Sequence, residues 1–249
     1  MNEQRDIDRY QKDYCDKSYS FEEVLAKFRK KNILGILGEY KPRRVLEIGC
    51  GTDSIFNYYQ DYDRAVIVEP SEFFADTAVK NKNEKITVYK DFIENKIDEL
   101  KKVPFDFVIL SSLLHEFNDP DAEMKKIVSL LNNDTVLLIN VPNSRSFLLL
   151  WAYEAGLIKD INELTDSAKK FQRHSTFNTD SLSEFVERHG LEICDKGSYF
   201  IKPFDHPKMQ KLLDSKLIDD NLLDGLYAMT KYFPQAGCEI FVNCKLKQV

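Results

Sequence analysis

The apolar positions of this chain gather in short runs separated by polar, helix-forming stretches. Val45-Leu46-Glu47-Ile48, Ala65-Val66-Ile67-Val68, Lys85 to Phe92, Phe105 to Glu116 with Leu-Leu-His-Glu at its carboxyl end, and Thr135 to Pro142 read as five strands. Ser20-Phe21-Glu22-Glu23 has capping-box form and predicts an amphipathic helix to about Gly38, ahead of the first strand. Asp119-Pro120 predicts a helix through Leu131, and Thr179-Asp180 another through about His189. Two late runs, Leu191 through Phe200 and Glu239 to Cys244, predict a closing hairpin. The alternation is that of a doubly wound α/β sheet, with no repeat and no low-complexity linker.

The first strand ends on Gly49-Cys50-Gly51, where bare backbone lets a ligand approach closely. Glu69 ends the second strand, roughly 20 residues after the first glycine, where a nucleoside-binding fold places a carboxylate to accept both ribose hydroxyls. Together they describe an adenosine pocket. A dinucleotide fingerprint would need a third glycine to seat a pyrophosphate on the helix that follows, and here the turn continues as Thr52-Asp53-Ser54. A carboxylate at that helix entrance repels a pyrophosphate but suits a cofactor with a cationic sulfonium and no phosphate. Glu47, just before the turn, can hold an ammonium group directly or through water.

The pattern Glu47-x-Gly49-x-Gly51 followed by Glu69 resembles the first two motifs of class I S-adenosylmethionine-dependent methyltransferases. The resemblance covers about residues 40 to 249, strongly to Pro142 and more loosely beyond, and departs at Thr52-Asp53, where many relatives have a further glycine. It implies a seven-stranded, mostly parallel Rossmann-like sheet with an antiparallel last strand, S-adenosyl-L-methionine as cofactor and S-adenosyl-L-homocysteine as product. Carried over onto this chain, the implied cofactor contacts are Tyr14, Glu47, Gly49, Cys50, Gly51, Glu69 and Pro70. To these the resemblance adds Asp91 and Phe92 at the adenine, and Ser111 and Ser112 at the end of the fourth strand. The implied organisation is an N-terminal helical lid over residues 1–40 and a methyltransferase domain over 41–249, with substrate-covering insertions at 143–178 and 202–236. Asn143 to Ser146, Gly156 to Asp160, Phe171 to His174, Tyr199 to Phe204 and Glu239 to Val242 are similar to methyltransferases of bacterial surface-polysaccharide or sugar-nucleotide pathways.

With 249 residues the chain can bury one sizeable α/β core, and a formal net charge of −6 offers nothing general to nucleic acid or an anionic membrane. Ser111-Ser112-Leu113-Leu114 is not the Asn/Asp-Pro-Pro-aromatic loop of nucleic-acid amino methylation. Phe147 to Ala152 is too short to span a bilayer and the N-terminal residues lack a signal-peptide core, so the expected location is cytoplasmic, without membrane insertion. Five cysteines without Cys-x-x-Cys spacing fit reduced thiols, and four histidines without i, i+4 pairing give no metal site.

The expected partner is a small-molecule acceptor, with the protein a monomer or homodimer. For a hydroxyl acceptor a histidine base is the natural choice: His115, after the fourth strand, and His174, in the first insertion, are the candidates, and either could instead orient a loop. Arg145 and Arg173 could meet a phosphate or carboxylate in bidentate fashion, or serve surface ion pairs. Tyr19, with Tyr10 and Tyr14, either folds over the site as a substrate-side lid or packs on the surface. His189 reads as a helix cap and His206 as a turn residue. The leading reading is O-methylation of a saccharide, nucleotide-linked sugar or capsule precursor, with N-methylation of an amino sugar or other small amine as its variant. A nicotinamide-dependent oxidoreductase and a catalytically silent cofactor-binding partner are the other classes.

Overall fold

The computed structural model describes residues 6–14, 21–80, 83–161 and 174–248. Seven strands form one sheet in the order β3-β2-β1-β4-β5-β7-β6. They are β1 (Arg44–Ile48), β2 (Arg64–Val68), β3 (Ile86–Tyr89), β4 (Phe107–Ser111), β5 (Val136–Pro142), β6 (Leu191–Tyr199) and β7 (Glu239–Leu246). β1 to β5 pair in parallel, and β7 runs antiparallel between β5 and β6. The expected seven-stranded arrangement with an antiparallel last strand is therefore present. The unbroken apolar runs follow from burial on both faces. In β2, Val66 and Val68 join a core on one side of the sheet, and Ala65 and Ile67 a second core on the other.

Strand order reverses between β1 and β4, so the loops after those two strands part and leave a crevice at their carboxyl ends. The helices are α1 (Ile7–Tyr14), α2 (Glu22–Tyr40), α3 (Glu72–Thr77), α4 (Ile97–Leu100), α5 (Pro120–Val128), α6 (Phe147–Glu154), α7 (Thr179–Arg188), α8 (His206–Asp214) and α9 (Asp220–Ala228). The segment after the glycine turn corrects one expectation: no full helix begins there, only the single 3-10 turn Ile55–Asn57, capped by Ser54. Asp53 therefore guards a loop and not a helix end. Elsewhere the caps act where the sequence places them. The Asp119 carboxylate accepts the Ala122 N–H at the start of α5, and Asn178 with Ser181 closes a capping box on α7. The Ser20 of the expected capping box lies outside the described residues.

α2 and the Phe21 that precedes it serve two neighbours at once. The carboxyl half of α2 buries Ile33, Ile36 and Leu37 against the sheet, while Phe21, Leu25 and Phe28 pack on the segment between β6 and β7. Phe28 stacks between Phe200 (ring centroids 4.6 Å apart) and Tyr227 (5.3 Å). The helix ends on Lys41 in the left-handed region (φ 48°), whose N–H returns to Leu37 O, and Pro42 follows.

The 202–236 segment is helical, and α8 and α9 pack against the amino-terminal part of α2, with Lys27 and Lys31 of α2 paired to Asp220 and Asp224 of α9. None of the described residues of 143–178 or 202–236 lines the crevice. His206 sits at the first position of α8 behind the Asp205 cap, not in a turn, and His189 caps α7 through Nδ1 to Phe185 O at 2.8 Å. Among the described residues no helix is long and apolar enough to cross a membrane.

Candidate active site

The crevice opens into a cavity of about 280 Å³ bounded by the β1 and β4 loops, the loops after β2 and β3, and one face of α2. Gly49 and Gly51 adopt φ of +73° and +57°. A Cβ on Gly49 would stand 3.1 Å from Leu113 Cδ2, so this glycine serves both the left-handed turn and the close approach of the two loops. Across the crevice Ser112 is held at φ +53°, its N–H bonded to Asn140 O. A non-glycine residue kept there stores about 1–3 kcal/mol of strain, a cost that concentrates at functional sites.

Glu69 is 5 % exposed and accepts the Gly51 N–H (3.2 Å) and the Ser71 N–H (2.9 Å). It thereby ties the glycine turn to the loop after β2. Glu47 is buried behind the turn, taking the Ser54 hydroxyl and the Ile55 N–H (3.1 Å). Burial pushes its carboxyl up to about 7, against those two hydrogen bonds and with help from the charges of Glu69 and Asp53. Burial also pushes the Cys50 thiol well up, reinforced by Glu47 and Glu69, which favours the neutral thiol at that position.

Carboxylates dominate the wall: eight of them line the cavity, against two fixed cations, Arg29 and Lys30. Both cations are engaged. Lys30 meets Asp53 in a close ion pair, and Asp53 also accepts from Tyr58 (2.7 Å) and Asn57 (2.8 Å). Although burial opposes its ionisation, these donors hold the Asp53 carboxyl below its ordinary value. Arg29 lies between Glu22 and Glu239. Farther along, burial and the charges of Glu123 and Asp91 push Glu94 up.

Of the residues expected from sequence, Glu47, Gly49, Cys50, Gly51, Glu69, Pro70, Phe92, Ser111, Ser112 and His115 all line this one cavity. His115 is 3 % exposed, in the 3-10 turn Leu114–Glu116, with Nε2 3.9 Å from Glu116 Oε1. Asp91 does not line the cavity: its carboxylate is spent on the Phe92 N–H (2.8 Å), Asn95 (2.7 Å) and Lys96 (3.6 Å). His174 does not either. Its side chain is exposed, and only its backbone N–H reaches the loop, at His115 O (2.9 Å). Arg145 is exposed and outside the lining. Tyr19, Arg173 and the Tyr14 side chain lie outside the described residues. α1 does reach the site: Ile7 lines it, and Gln11 Oε1 accepts from the Ser71 hydroxyl (3.0 Å).

What the sequence reading missed is the face of α2. Glu22, Ala26, Arg29, Lys30 and Ile33 all line the cavity, spaced at i, i+4, i+7, i+8 and i+11 as one helical stripe requires. That stripe is visible in the sequence, but it mixes charge with alanine and isoleucine, so it carries no apolar signal.

A family model described as methyltransferase domain matches residues 17–196. Among solved structures, the plantazolicin methyltransferase BamL, crystallised with a triazolic desmethylPZN analog and SAH, superposes with a TM-score of 0.57. The two are 17% identical over 92% of this chain and 88% of that one. The methyltransferase in complex with the Haloferax volcanii Trm112 methyltransferase activator gives 0.60 at 12% identity, over 98% and 99% of the two chains. A SAM dependent methyltransferase from Archaeoglobus fulgidus gives 0.52 at 18%, over 92% and 100%. The chain matches none of the curated proteins it was compared with.

Proposed function

From the premise that the chain belongs to the S-adenosylmethionine-dependent methyltransferases of the methyltransferase-domain family, we propose that it methylates a small-molecule acceptor with His115 as the base. The observation that carries this reading is the position of His115, buried in the wall of the same cavity as the glycine turn and Glu69. The cavity suits the cofactor on its own evidence. Gly49 keeps backbone bare at φ +73°, where a Cβ would also press on the Leu113 side chain, and a wall rich in carboxylates favours a cationic sulfonium over a pyrophosphate. The second point counts against a nicotinamide dinucleotide.

In this reading Glu69 receives the ribose hydroxyls, Phe92 lies against the base, and Glu47 with the backbone at Gly49, Cys50 and Gly51 holds the amino-acid end. Pro70, Ser111 and Ser112 complete the enclosure, and α1 covers it. S-adenosylmethionine supplies a methyl group already activated on a sulfonium, so the protein's work is alignment of the acceptor and removal of its proton. His115 takes that proton, and Glu116 Oε1, 3.9 Å from Nε2, stabilises the imidazolium that results. The leading acceptor is a neutral hydroxyl compound, of which a saccharide is the type suggested by the polysaccharide-pathway resemblance, and the location a cytoplasmic one.

A second acceptor class, a small amine, is favoured by the excess of carboxylates over cations in the wall. The same excess disfavours a phosphorylated acceptor, for which Arg145 stands outside the cavity. To test the reading, labelled methyl transfer from S-adenosylmethionine is followed over panels of sugars and amines. His115→Ala should lower kcat by about 10²–10⁴-fold on a hydroxyl acceptor while leaving cofactor affinity unchanged. Unchanged kcat would remove His115 from the chemistry and leave transfer to an amine by alignment alone.

A further inference from the structure

A helix with an apolar stripe normally turns that stripe to the core. α6 does the reverse: none of its residues is buried, although all but Glu154 are apolar or aromatic. Phe147, Leu150, Trp151, Glu154 and Leu157 are exposed at i, i+3, i+4, i+7 and i+10, one stripe along the helix and the turn that closes it. Leu148, Leu149 and Ala152, on the other side, are half-buried.

The stripe is fixed in place. At the amino end the Phe147 N–H donates to Ala236 O (2.9 Å), and in the middle the Trp151 ring lies 5.5 Å from that of Phe204. The carboxyl end closes on Gly156 at φ +70°, with the Leu157 N–H returned to Ala152 O (2.9 Å). That closure presents Leu157 to solvent at 78 % exposure. With Tyr153 on its shoulder, the apolar part of the stripe exposes about 500 Å², at roughly 200 Å² for a full side chain. A standard interface buries about 800 Å² per partner, a little over half of it apolar, so the stripe and its polar rim are of the size a stable dimer needs.

The charges at the two ends say what covers it. Arg145 stands just ahead of the Ser146 cap, and Glu154 is the last helical residue. A cation before the amino end and an anion at the carboxyl end both oppose the helix's own dipole. Among the described residues neither side chain has a hydrogen-bond or ion-pair partner. α6 also has no acid in its first turn and no base in its last. A second α6 laid antiparallel across a two-fold axis corrects both ends. The helix is about 12 Å long, so an axis through its middle brings Arg145 of one copy opposite Glu154 of the other, twice. Each charge then meets its opposite at the helix end whose dipole favours it. A lipid surface offers no such match, because it would take up Glu154 along with the apolar stripe.

We propose that the α6 stripe is a dimer interface, on which a second copy of this chain docks antiparallel with Arg145 of each copy against the partner's Glu154. Sedimentation equilibrium of the full chain in about 50 mM salt tests it, since exposed charge pairs weaken as salt rises. The wild type should sediment as a species of twice 29.1 kDa at about 10 µM, within the range that interfaces of this size reach. Leu157→Glu and Leu150→Glu should each raise the dissociation constant by at least about tenfold, because every substitution enters a two-fold interface twice. Both positions are exposed in the single chain, so the circular dichroism spectrum should stay that of the wild type. Arg145→Glu and Glu154→Arg should each weaken the dimer by about tenfold, and the two together should return it to within about threefold of the wild type. A wild type that stays monomeric to about 100 µM would overturn the proposal, since an interface of standard size associates well below that concentration. So would a dimer that none of these substitutions weakens, or a double charge exchange that restores nothing.

Discussion

A carboxyl group that titrates near pH 7 makes both binding and stability depend on pH in the ordinary working range, and Glu47 is such a group. A cationic ligand beside it favours the ionised form, so S-adenosylmethionine should bind more tightly at pH 8 than at pH 6, by up to about tenfold, with proton release on the acid side. In the unliganded protein the sign is opposite. Between its ordinary value of 4.5 and about 7 the folded state holds the proton that the unfolded state has lost. Stability therefore falls as pH rises through that window, by roughly 3 kcal/mol. Calorimetry and urea unfolding at stepped pH measure the two effects, and Glu47→Gln should flatten both. A wild type with equal affinity at pH 6 and 8 would contradict the account. At this scale Gly49, Gly51 and Glu69 were legible because their signal is local: a strand, a turn and a second strand. Arg29 was not, because its meaning depends on Glu239, 210 positions away. Asp91 stands outside the cavity lining, and the motif does not weigh its near neighbours, the Phe92 N–H and Asn95, which donate to its carboxylate.

At the scale of elements, the sequence found all seven strands, running β3 and β4 on into the loops that follow them, and foresaw the helical 202–236 segment, but not its packing on α2. Length alone said that it covers something. The aromatic side chains Phe28, Phe200 and Tyr227 decide that it covers α2. The return from this segment into β7 passes through Gly237, where a Cβ would lie 2.5 Å from Tyr199 N and 2.7 Å from Tyr199 O. Both are backbone atoms and cannot swing aside. Asn143 Nδ2 pins the same return by donating to Gln235 O and Gly237 O (2.8 Å each), joining it to the end of β5. Gly237→Ala should therefore destabilise the protein by about 2 kcal/mol or more, read as a lowered urea midpoint, because β6 and β7 must separate to admit the methyl group. An unchanged midpoint would show that the return is looser than its contacts indicate. The helix expected after the glycine turn failed for a related reason: Ser54 caps a single 3-10 turn, and the chain reaches β2 without forming a longer helix.

For the molecule as a whole, the strand order β3-β2-β1-β4-β5-β7-β6 is the source of the site, since the reversal between β1 and β4 parts the loops that carry the glycine turn, Ser112 and His115. The alternation of runs implied a doubly wound sheet, and the family resemblance its seven strands with an antiparallel last one. What it did not reveal is how the far ends of the chain close the site: α2 brings Glu22, Arg29 and Lys30 from before the first strand, and β7 brings Glu239 from after the sixth. The central claim, an adenosine pocket built for a cationic sulfonium and not for a pyrophosphate, is tested most directly by titrating the purified chain with S-adenosylmethionine and NADH in parallel calorimetric runs. The account predicts saturable one-site binding of S-adenosylmethionine and no heat of binding from NADH; binding of NADH alone would contradict it.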